Sequence, residues 1–559
     1  MLSWNRSGPI LLAIFVNSCA ASQVHTQQSM ESSHPGPKQP TLYTEMMSQG
    51  RFSEAAILQS LQSILEPDSR PMAVFSRLDH PLGKNPQPTR ISLSNEVYVP
   101  SELNQQQEST VPEGHSVVEF YRGQTETVND PLRLSDEVVP YPVTKVERLR
   151  PLLELGDPFL GNGPIRPGIK TPTGQMLQPW FLLFGTFRSA IQTSDNGNDN
   201  TAEWSNRLDL HGNLNLSGTE RLLFSMRPLD RDSGESTGFN FNPKTDDGWQ
   251  QTFNGELTTV FFEGELGEIF PGLDPADSST LDWGFSVGRQ PAMVQDGLLL
   301  NDTIDLVGIS RNSLTLRGVP NLNLIGIFGW NDIDRGNSSN DDAVRLFGFF
   351  STADTAWEST ISMDLIYVDD KDTTNAWYFG AGSTQRFGMI NTTFRINTSY
   401  PEHGDTPVAN RGTILSSELS GTLQGSDNII YFNSFLSIDN FTSAARGQDK
   451  GTPLANLGIL FGPVGMGRYE VPLGQPIADT VGTTLGYQMF LDSIRSQLIL
   501  ELGARTGTKS SKNADILGFG VRYQQAIGTR YVLRFDSFLA AQEGKGLSHG
   551  VRQEWVVKF

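Results

Sequence analysis

Cysteine is almost absent from this sequence of 559 residues, which contains a single one, Cys19. One cysteine forms no disulfide within the chain and cannot build a thiolate metal cluster. The seven histidines show no metal-ligand spacing, and His211, which shares a polar face with Asp209, is explained by a solvated environment. We therefore predict no metal, no cofactor and no catalytic site, and we do not expect an enzyme.

Long hydrophobic runs are also missing. After residue 20, no run approaches the roughly 20 apolar residues that a membrane-spanning helix needs, although hydrophobic residues make up 37% of the chain. This pattern excludes a helical membrane protein. It does not exclude a membrane β-barrel, because lipid-facing and lumen-facing residues alternate along each barrel strand.

Positive charge is in short supply, since 42 Lys and Arg residues stand against 62 Asp and Glu residues and the net charge is −20. No basic stripe stands out, so nucleic acid is not an expected partner. Acidic residues gather in turn-rich stretches at residues 195–199, 230–235, 332–342 and 369–372. Solvated loop charge explains them, and a divalent-cation role at a lipopolysaccharide surface is the alternative.

The first 21 residues are typical of an export signal: Arg6 is positively charged, residues 9–16 form an apolar core, and small residues follow. Cys19 lies in this cleavage region, where it resembles the acylated cysteine of a lipobox, although Asn17 departs from that pattern. Cleavage after Ala21 is the alternative to lipidation of Cys19. Both interpretations predict an exported protein.

Residues 22–177 form a predicted N-terminal extension of mixed character. Residues 23–40 are rich in Gln, Ser, His and Pro, a composition typical of disorder, and residues 43–65 show helical spacing of apolar positions. Proline recurs at short intervals from residue 66 onward. A periplasmic arm, a partner-binding segment and a plug inside a barrel are the three interpretations of this extension.

From about Trp180 the hydrophobic period is two, and it stays two to the end of the chain. One strand has an apolar face of Leu208, Leu210, Gly212, Leu214 and Leu216 and a polar face of Arg207, Asp209, His211, Asn213 and Asn215. Short connections alternate with long polar ones, such as residues 332–342, 401–412 and 439–478. We predict an all-β fold, a transmembrane antiparallel β-barrel over residues 178–559, with about 18 strands and about 16 as the alternative.

The last strand ends at Phe559, with Val557, Trp555 and Val551 on the same face. A final alternating strand that ends on Phe resembles the outer-membrane β-barrel proteins, in which this strand is read by the barrel-assembly machinery. The resemblance implies a location in the bacterial outer membrane and contact with its lipids and lipopolysaccharide. A soluble β-sandwich or propeller is the alternative, but it offers no second apolar layer to bury so many Leu and Phe faces.

The most unusual local sequence is Gly288-Arg289-Gln290, which is followed by an apolar triplet, Leu298, Leu299 and Leu300, between acidic residues. A loop that folds back into the barrel would bury the triplet and narrow the lumen. This pattern resembles the alginate-export and related 18-stranded porin families, and the resemblance implies a constriction loop. The constriction-loop candidates are Arg289, Asp296, Asp302 and Asp305. A β-hairpin ledge with structural leucines is the alternative.

Where strand parity is clear, Arg residues are enriched on the polar face that would line a lumen. The predicted channel-lining residues are Arg188, Arg207, Asp209, Arg221, Arg227, Arg317, Arg395, Arg522, Arg530, Arg534 and Asp536. Guanidinium groups bind carboxylates through paired hydrogen bonds, so an Arg-rich wall favours anionic solutes. Cross-bracing of the lumen by opposed Arg and acidic side chains is the alternative.

Together these patterns predict an outer-membrane porin for passive diffusion of small hydrophilic solutes, with anionic or sugar-like species favoured. One alternative is a gated transporter or receptor in which residues 23–177 form a plug, although about 18 strands are fewer than the roughly 22 of such transporters. A second alternative is a non-conducting adhesion barrel that binds a partner through residues 439–478.

Overall fold

The computed structural model describes residues 150–156, 168–230, 236–241, 248–273, 281–336, 343–447, 450–474, 477–491, 494–509 and 515–559. The predicted export signal, with Cys19, and most of the predicted N-terminal extension lie outside the described residues. Both therefore stay predictions. No helix within the described ranges is long and apolar enough to cross a membrane.

Strands dominate the described residues. The first are β1 (Leu153–Leu155), β2 (Ile169–Lys170), β3 (Met176–Leu177), β4 (Trp180–Asp195), β5 (Asn200–Asn215), β6 (Arg221–Met226), β7 (Thr237–Asn240), β8 (Gly248–Gln250) and β9 (Leu257–Glu265), followed by the short helix α1 (Leu266–Ile269). Next come β10 (Gly284–Val294), β11 (Leu300–Leu316), β12 (Val319–Asn331), β13 (Arg345–Asp354), β14 (Ser359–Asp369), β15 (Ala376–Phe387), β16 (Ile390–Pro401) and β17 (Gly412–Thr422). The last are β18 (Ile429–Asp439), a 3-10 turn (Ala455–Leu457), β19 (Thr480–Phe490), β20 (Ser496–Gly507), β21 (Ile516–Ile527), β22 (Tyr531–Gln542) and β23 (Leu547–Lys558).

The main sheet closes into a barrel of 18 antiparallel strands, which are β4, β5, β6 and β9 through β23. β23 pairs with β4 to close it and places Arg552 opposite Gln192. β1 pairs with the start of β4, whereas β7 pairs with β5 and β8 with β7, in the connection between β6 and β9. The predicted number of 18 strands is confirmed, and the alternative of 16 is not.

Side chains alternate between the lumen and the exterior along the barrel strands. On β23, Val551 and Trp555 are each 43% exposed, whereas Arg552 and Glu554 are 0% exposed. Many other strands carry exposed Leu, Ile, Phe or Trp side chains on the outer face. A closed barrel with an apolar exterior and a polar interior is the arrangement of a membrane-spanning barrel, because hydrocarbon does not penalise the outer band.

Outward aromatic side chains collect near the end of the barrel that carries the long connections. Tyr367 and Trp377 have ring centroids 4.5 Å apart, and Phe328 and Phe347 have theirs 5.0 Å apart. Phe347 also lies 6.4 Å from Tyr367, so the contacts run across β12, β13, β14 and β15. A belt of aromatic residues at this level is typical of a membrane–water interface.

The connections differ in length at the two ends of the barrel. Those at residues 216–220, 317–318, 388–389 and 528–530 are short, whereas those at the other end include residues 332–344, 402–411 and 440–479. Because the strand number is even, β4 begins and β23 ends at the short-turn end. The connection between β9 and β10, residues 266–283, is longer than the short turns at this end and contains α1.

A buried apolar cluster lies in the long-connection half of the barrel interior. Residues 440–479, here called the lumen segment, contribute Phe441, Leu460 and Phe461, each at most 1% exposed. The sequence did not indicate this inward position, because residues 439–478 read as a long polar loop. Leu346 and Phe350 of β13 also point inward into this cluster.

Candidate functional site

One row of charged side chains crosses the inner wall of the barrel at its closing seam. The strand register places Arg522 opposite Asp536, Asp536 opposite Arg552, and Arg552 opposite Gln192. Opposed residues on antiparallel strands face the same side of a sheet, so all four point into the lumen. Arg552 Nη1 lies 3.0 Å from Asp536 Oδ2, and Arg552 Nε donates to Gln192 Oε1 at 2.9 Å.

A second group of contacts surrounds the Glu554 carboxylate on β23. Arg188 Nε lies 2.5 Å from Glu554 Oε1, while Arg534 Nη1 and Arg552 Nη1 lie 3.1 and 2.8 Å from Oε2. These side chains are at most 8% exposed. A carboxylate surrounded in this way stays ionised only because several guanidinium groups offset the cost of its burial.

Positive charge predominates in this part of the wall, which we call the arginine seam. It consists of Arg188, Arg522, Arg534 and Arg552 with the carboxylates of Asp536 and Glu554. Four guanidinium groups thus accompany two carboxylates. Ion pairs cross-brace the wall, as the alternative interpretation of the sequence held, and the group as a whole still has positive charge in excess.

The Arg and acidic residues of β5, β6 and β9 form smaller pairs beside the arginine seam. Asp209 Oδ1 accepts from Arg207 Nε at 3.0 Å and from Arg227 Nε at 3.1 Å. Arg221 pairs with Glu263, which is 0% exposed. These predicted wall residues therefore lie on the inner face and contact acidic neighbours.

The lumen segment lies directly over this wall and contacts it through its backbone. Arg188 Nη2 donates to the carbonyl oxygen of Val464 at 2.8 Å, and Arg207 Nη1 donates to that of Gly465 at 2.5 Å. Sequence reasoning missed the carbonyl acceptors, since it considered side chains only. The signal that could have revealed the segment is its apolar content, including Leu457 and Leu460, within a stretch that was read as polar.

On the opposite wall, the connection at residues 295–299, here called the inner loop, folds into the lumen. Leu298, Leu299 and Leu300 are 6%, 0% and 0% exposed, so the apolar triplet is buried as the sequence predicted. Asp296 of the inner loop pairs with Arg395 on β16, which also pairs with Glu418 on β17. Two carboxylates accompany one guanidinium here, so this wall is acidic where the arginine seam is basic.

The inner loop and the lumen segment meet each other. The Ala444 N–H donates to the carbonyl oxygen of Leu299 at 2.8 Å, and Ser443 Oγ donates to that of Leu298 at 2.7 Å. A cavity of about 10 Å³ remains between them, lined by Asp296, Leu298, Ser416, Glu418, Pro453, Leu454, Asn456 and Leu457. That is about the space of one water molecule, so the two elements are closely packed.

The other constriction-loop candidates lie on the strands that flank the inner loop. Asp305 Oδ1 accepts from Arg289 Nε at 3.0 Å, and Arg289 also pairs with Asp332. Asp302 is 3% exposed and accepts from the backbone N–H of Thr303 at 2.7 Å. The carboxylate of Asp302 is therefore buried and hydrogen-bonded to the local backbone, and it is not exposed to a pore.

Glu501 on β20 holds the tip of the lumen segment. Its Oε2 and Oε1 accept from the backbone N–H groups of Ile459 and Leu460, each at 2.9 Å, and Tyr431 Oη donates to Oε2 at 2.5 Å. Gly458 precedes these residues, and a Cβ atom there would lie 2.3 Å from Glu501 Oε2. Glycine at this position lets the backbone approach the carboxylate closely.

Two predicted wall residues lie in short turns instead of on barrel strands. Arg317 is exposed in the turn after Leu316, where β11 ends, and Arg530 lies in the turn before Tyr531, where β22 begins. The sequence prediction placed both on the polar wall because it continued the alternation of inward and outward residues past the ends of the strands. The chain reverses at these positions, so their side chains are not part of the inner strand face.

Burial changes the electrostatics of groups in the lumen segment. Burial lowers the pKa of the Arg446 guanidinium to about 10, against the opposing effect of the Asp302 charge. Burial raises the pKa of the Glu470 carboxyl, and the Lys545 charge opposes this effect. In both groups the burial of the lumen segment disfavours the charged form.

A closed membrane-type barrel whose lumen is narrowed by two inward loops is the class that the fold and the site define. No protein-family model and no curated protein sequence matches the chain. Among solved structures, it is similar to Pseudomonas aeruginosa OccK9 (OpdG), at 13% identity over 68% of this chain and 98% of that chain, with a TM-score of 0.47.

Two further solved structures from Pseudomonas aeruginosa are similar to the chain. One is the outer membrane protein OpdK, at 11% identity over 67% of this chain and 98% of that chain, with a TM-score of 0.45. The other is OccK2 (OpdF) in complex with glucuronate, at 10% identity over 68% of this chain and 98% of that chain, with a TM-score of 0.46. At these identities the likeness is one of fold.

Proposed function

We propose that the protein is an outer-membrane channel through which small hydrophilic solutes diffuse passively, with anionic solutes favoured and sugar-like ones next. The closed 18-stranded barrel with an apolar exterior supports a location in a bacterial outer membrane. Lipids and lipopolysaccharide would surround it, and the barrel-assembly machinery would insert it through β23. Permeation requires no chemical step, so the lumen side chains act by size and charge.

The arginine seam is the observation that carries the anion preference. It holds four guanidinium groups against two carboxylates, with the ion-paired side chains at most 14% exposed. Fixed charges in a narrow lumen act across a short distance and are weakly screened, so an excess of positive charge attracts anions. The inner loop and the lumen segment would set the size limit, because they are the elements that fold into the lumen.

The adhesion alternative is less well supported. It needs residues 439–478 at the surface as a partner-binding loop, but the backbone of the lumen segment is bound to the inner wall at Val464, Gly465 and Leu460. A gated transporter with residues 23–177 as its plug is the second candidate. The lumen segment favours the first proposal, because it already occupies the space that a separate plug would need.

The test is single-channel recording of the refolded protein in a planar bilayer with a KCl gradient. We expect steady conductance and a reversal potential that indicates anion selectivity. The double variant Arg522→Gln with Arg534→Gln removes the positive excess of the arginine seam and should move the reversal potential towards zero. The matched control, Arg317→Gln with Arg530→Gln, changes turn residues and should leave it unchanged.

Two results would contradict the proposal. A silent wild-type protein that is folded in the bilayer would argue against a channel. Equal shifts of the reversal potential in the test and control variants would show that the arginine seam does not set the selectivity.

A further inference from the structure

β6 is a short strand and does not extend over the full height of the barrel wall. β6 has 6 residues and pairs with residues 210–215, the part of the 16-residue strand β5 that lies nearest the short-turn end. β6 therefore covers only 6 of the 16 residues of β5 and ends at Met226 opposite Leu210. Farther along β5, the β7–β8 hairpin takes over the pairing, with β7 opposite residues 203–206 of β5.

The wall is also interrupted between β9 and β10. β9 pairs with residues 284–289 of β10, whereas β10 continues to Val294 in its pairing with β11. Among the described residues, no strand pairs with residues 290–294 on the β9 side. Pro291 lies in this stretch, and proline, which has no N–H to donate, is typical of strand edges.

A cavity of about 260 Å³ lies at the β7–β8 hairpin. It is lined by Leu229, Thr237, Trp249, Gln250, Gln251, Thr252 and Phe253, none of which is charged. Thr237 Oγ1 and Thr252 Oγ1 are hydrogen-bonded to each other at 2.9 Å, and Thr252 Oγ1 also donates to the carbonyl oxygen of Leu229 at 3.2 Å. These hydroxyls are used within the wall, and the remaining lining consists of three apolar side chains, Leu229, Trp249 and Phe253, with Gln250 and Gln251.

The cavity is continuous with the lipid-facing surface. Trp249 lines it, is 66% exposed, and lies 5.4 Å from Trp204 between ring centroids. Trp204 lies opposite Ile191 of β4, an outward side chain that is 64% exposed. Phe253, another lining residue, is 76% exposed. Side chains this apolar and this exposed suit contact with hydrocarbon better than contact with water.

We propose that this cavity is a binding site for one acyl chain of an outer-leaflet lipid. The strand register places it in the outer half of the wall, beyond the end of β6, where acyl chains surround a membrane barrel. Apolar cavities of about 150 Å³ stay dry and take up small hydrocarbons, so a larger cavity beside lipid has room for part of a chain. None of the described lining residues is charged, so we expect no selection by the charge of the headgroup. This site is separate from the lumen and from the proposed permeation.

The experiment titrates the folded full-length protein in dodecyl maltoside with dipalmitoyl phosphatidylcholine and counts bound lipids by native mass spectrometry. We expect one lipid to bind saturably, with equal affinity for dipalmitoyl phosphatidylglycerol and much weaker binding of dihexanoyl phosphatidylcholine. Leu229→Trp fills the cavity and should weaken binding by at least about tenfold. The matched control is Leu485→Trp, an outward residue of β19 that is 48% exposed, and it should bind as the wild type does.

Binding that depends on the headgroup, non-saturable uptake, or equal affinity of the Leu229→Trp and Leu485→Trp variants would overturn the proposal. Heat-modifiable migration on gels shows whether each variant is folded. Should Leu229→Trp fail to fold, Phe253→Ala replaces it, because it removes an exposed wall of the cavity without adding volume. Unchanged affinity of Phe253→Ala would then overturn the site.

Discussion

The Glu501 carboxylate of β20 accepts a hydrogen bond from the backbone N–H of Leu460, with 2.9 Å between Glu501 Oε1 and Leu460 N. This contact joins the inner wall of the barrel to the tip of the lumen segment. Ile459 N and Tyr431 Oη bind the other carboxylate oxygen. One side chain therefore positions residues 459 and 460 of the lumen segment.

Replacing Glu501 with Ala should loosen the lumen segment. The change leaves the N–H groups of Ile459 and Leu460 without their acceptor, at a cost of about 1–3 kcal/mol for each buried group. We expect a higher and noisier single-channel conductance, because the tip no longer has one position. Glu501→Gln keeps one acceptor oxygen and should give an intermediate result. Asp427→Ala, at an exposed turn, serves as the control, and identical traces for both alanine variants would refute the role of Glu501.

Replacing Glu554 with Gln should destabilise the barrel at its closing seam. Glu554 is 0% exposed and contacts Arg188, Arg534 and Arg552, so its loss leaves buried guanidinium groups uncompensated. Breaking such a buried pair costs about 3–5 kcal/mol. A urea titration in detergent should show a lower unfolding midpoint, while Glu543→Gln, in an exposed turn, should leave the midpoint unchanged. A midpoint equal to that of the wild type would mean that the network contributes little.

The ion pair of Asp370 should contribute to the stability of the protein at neutral pH, and this contribution should be lost in acid. It pairs with Arg335, and the two residues are 4% and 1% exposed. Burial alone would raise the pKa of Asp370, but hydrogen bonds from Thr373 and the Arg335 charge outweigh it, so the pKa lies below its ordinary value. A depressed pKa contributes stability that is present above about pH 4 and is lost as the pH falls through the folded-state value.

Asp370→Asn should therefore lower the free energy of unfolding at pH 7, by about 3 kcal/mol for a broken buried pair. The difference from the wild type should shrink as the pH falls from about 4 through the lower folded-state pKa of Asp370, below which the wild-type carboxyl is also neutral. Urea titrations at both pH values test this expectation. Asp372→Asn, which changes an exposed carboxyl in the same connection, should show no such pH dependence. A difference that stays constant with pH would contradict the assignment.

Strand periodicity predicted most of the barrel because the residue pattern of each strand by itself indicates which side faces lipid. The alternation on β5 and β23 is readable without any neighbour, since lipid on one side and the lumen on the other impose a period of two. The register then follows, because a slip by one residue would turn every apolar side chain inward. Arg522, Asp536 and Arg552 consequently meet across three strands, as their parity indicated.

The alternation of polar and apolar residues did not predict the inward face of a strand where the inside of the barrel is apolar. Leu346 and Phe350 of β13 face inward, yet they are apolar because they pack on the lumen segment. It also failed at Arg317 and Arg530, because strand ends depend on where the chain turns and not on period alone. In both cases the information lies in a partner that is distant in sequence.

By itself, the sequence predicted the closed barrel, about 18 strands with 16 as the alternative, the apolar exterior and the Arg-rich inner faces, because these follow from local alternation in two different solvents. Only the tertiary structure decided that residues 440–479 enter the lumen, that Glu501 holds their tip, and that the wall is interrupted between β9 and β10. These features depend on contacts between elements far apart in the chain. Backbone carbonyl groups such as that of Val464 leave no mark in the residue pattern, so folding alone brings them to the arginine seam.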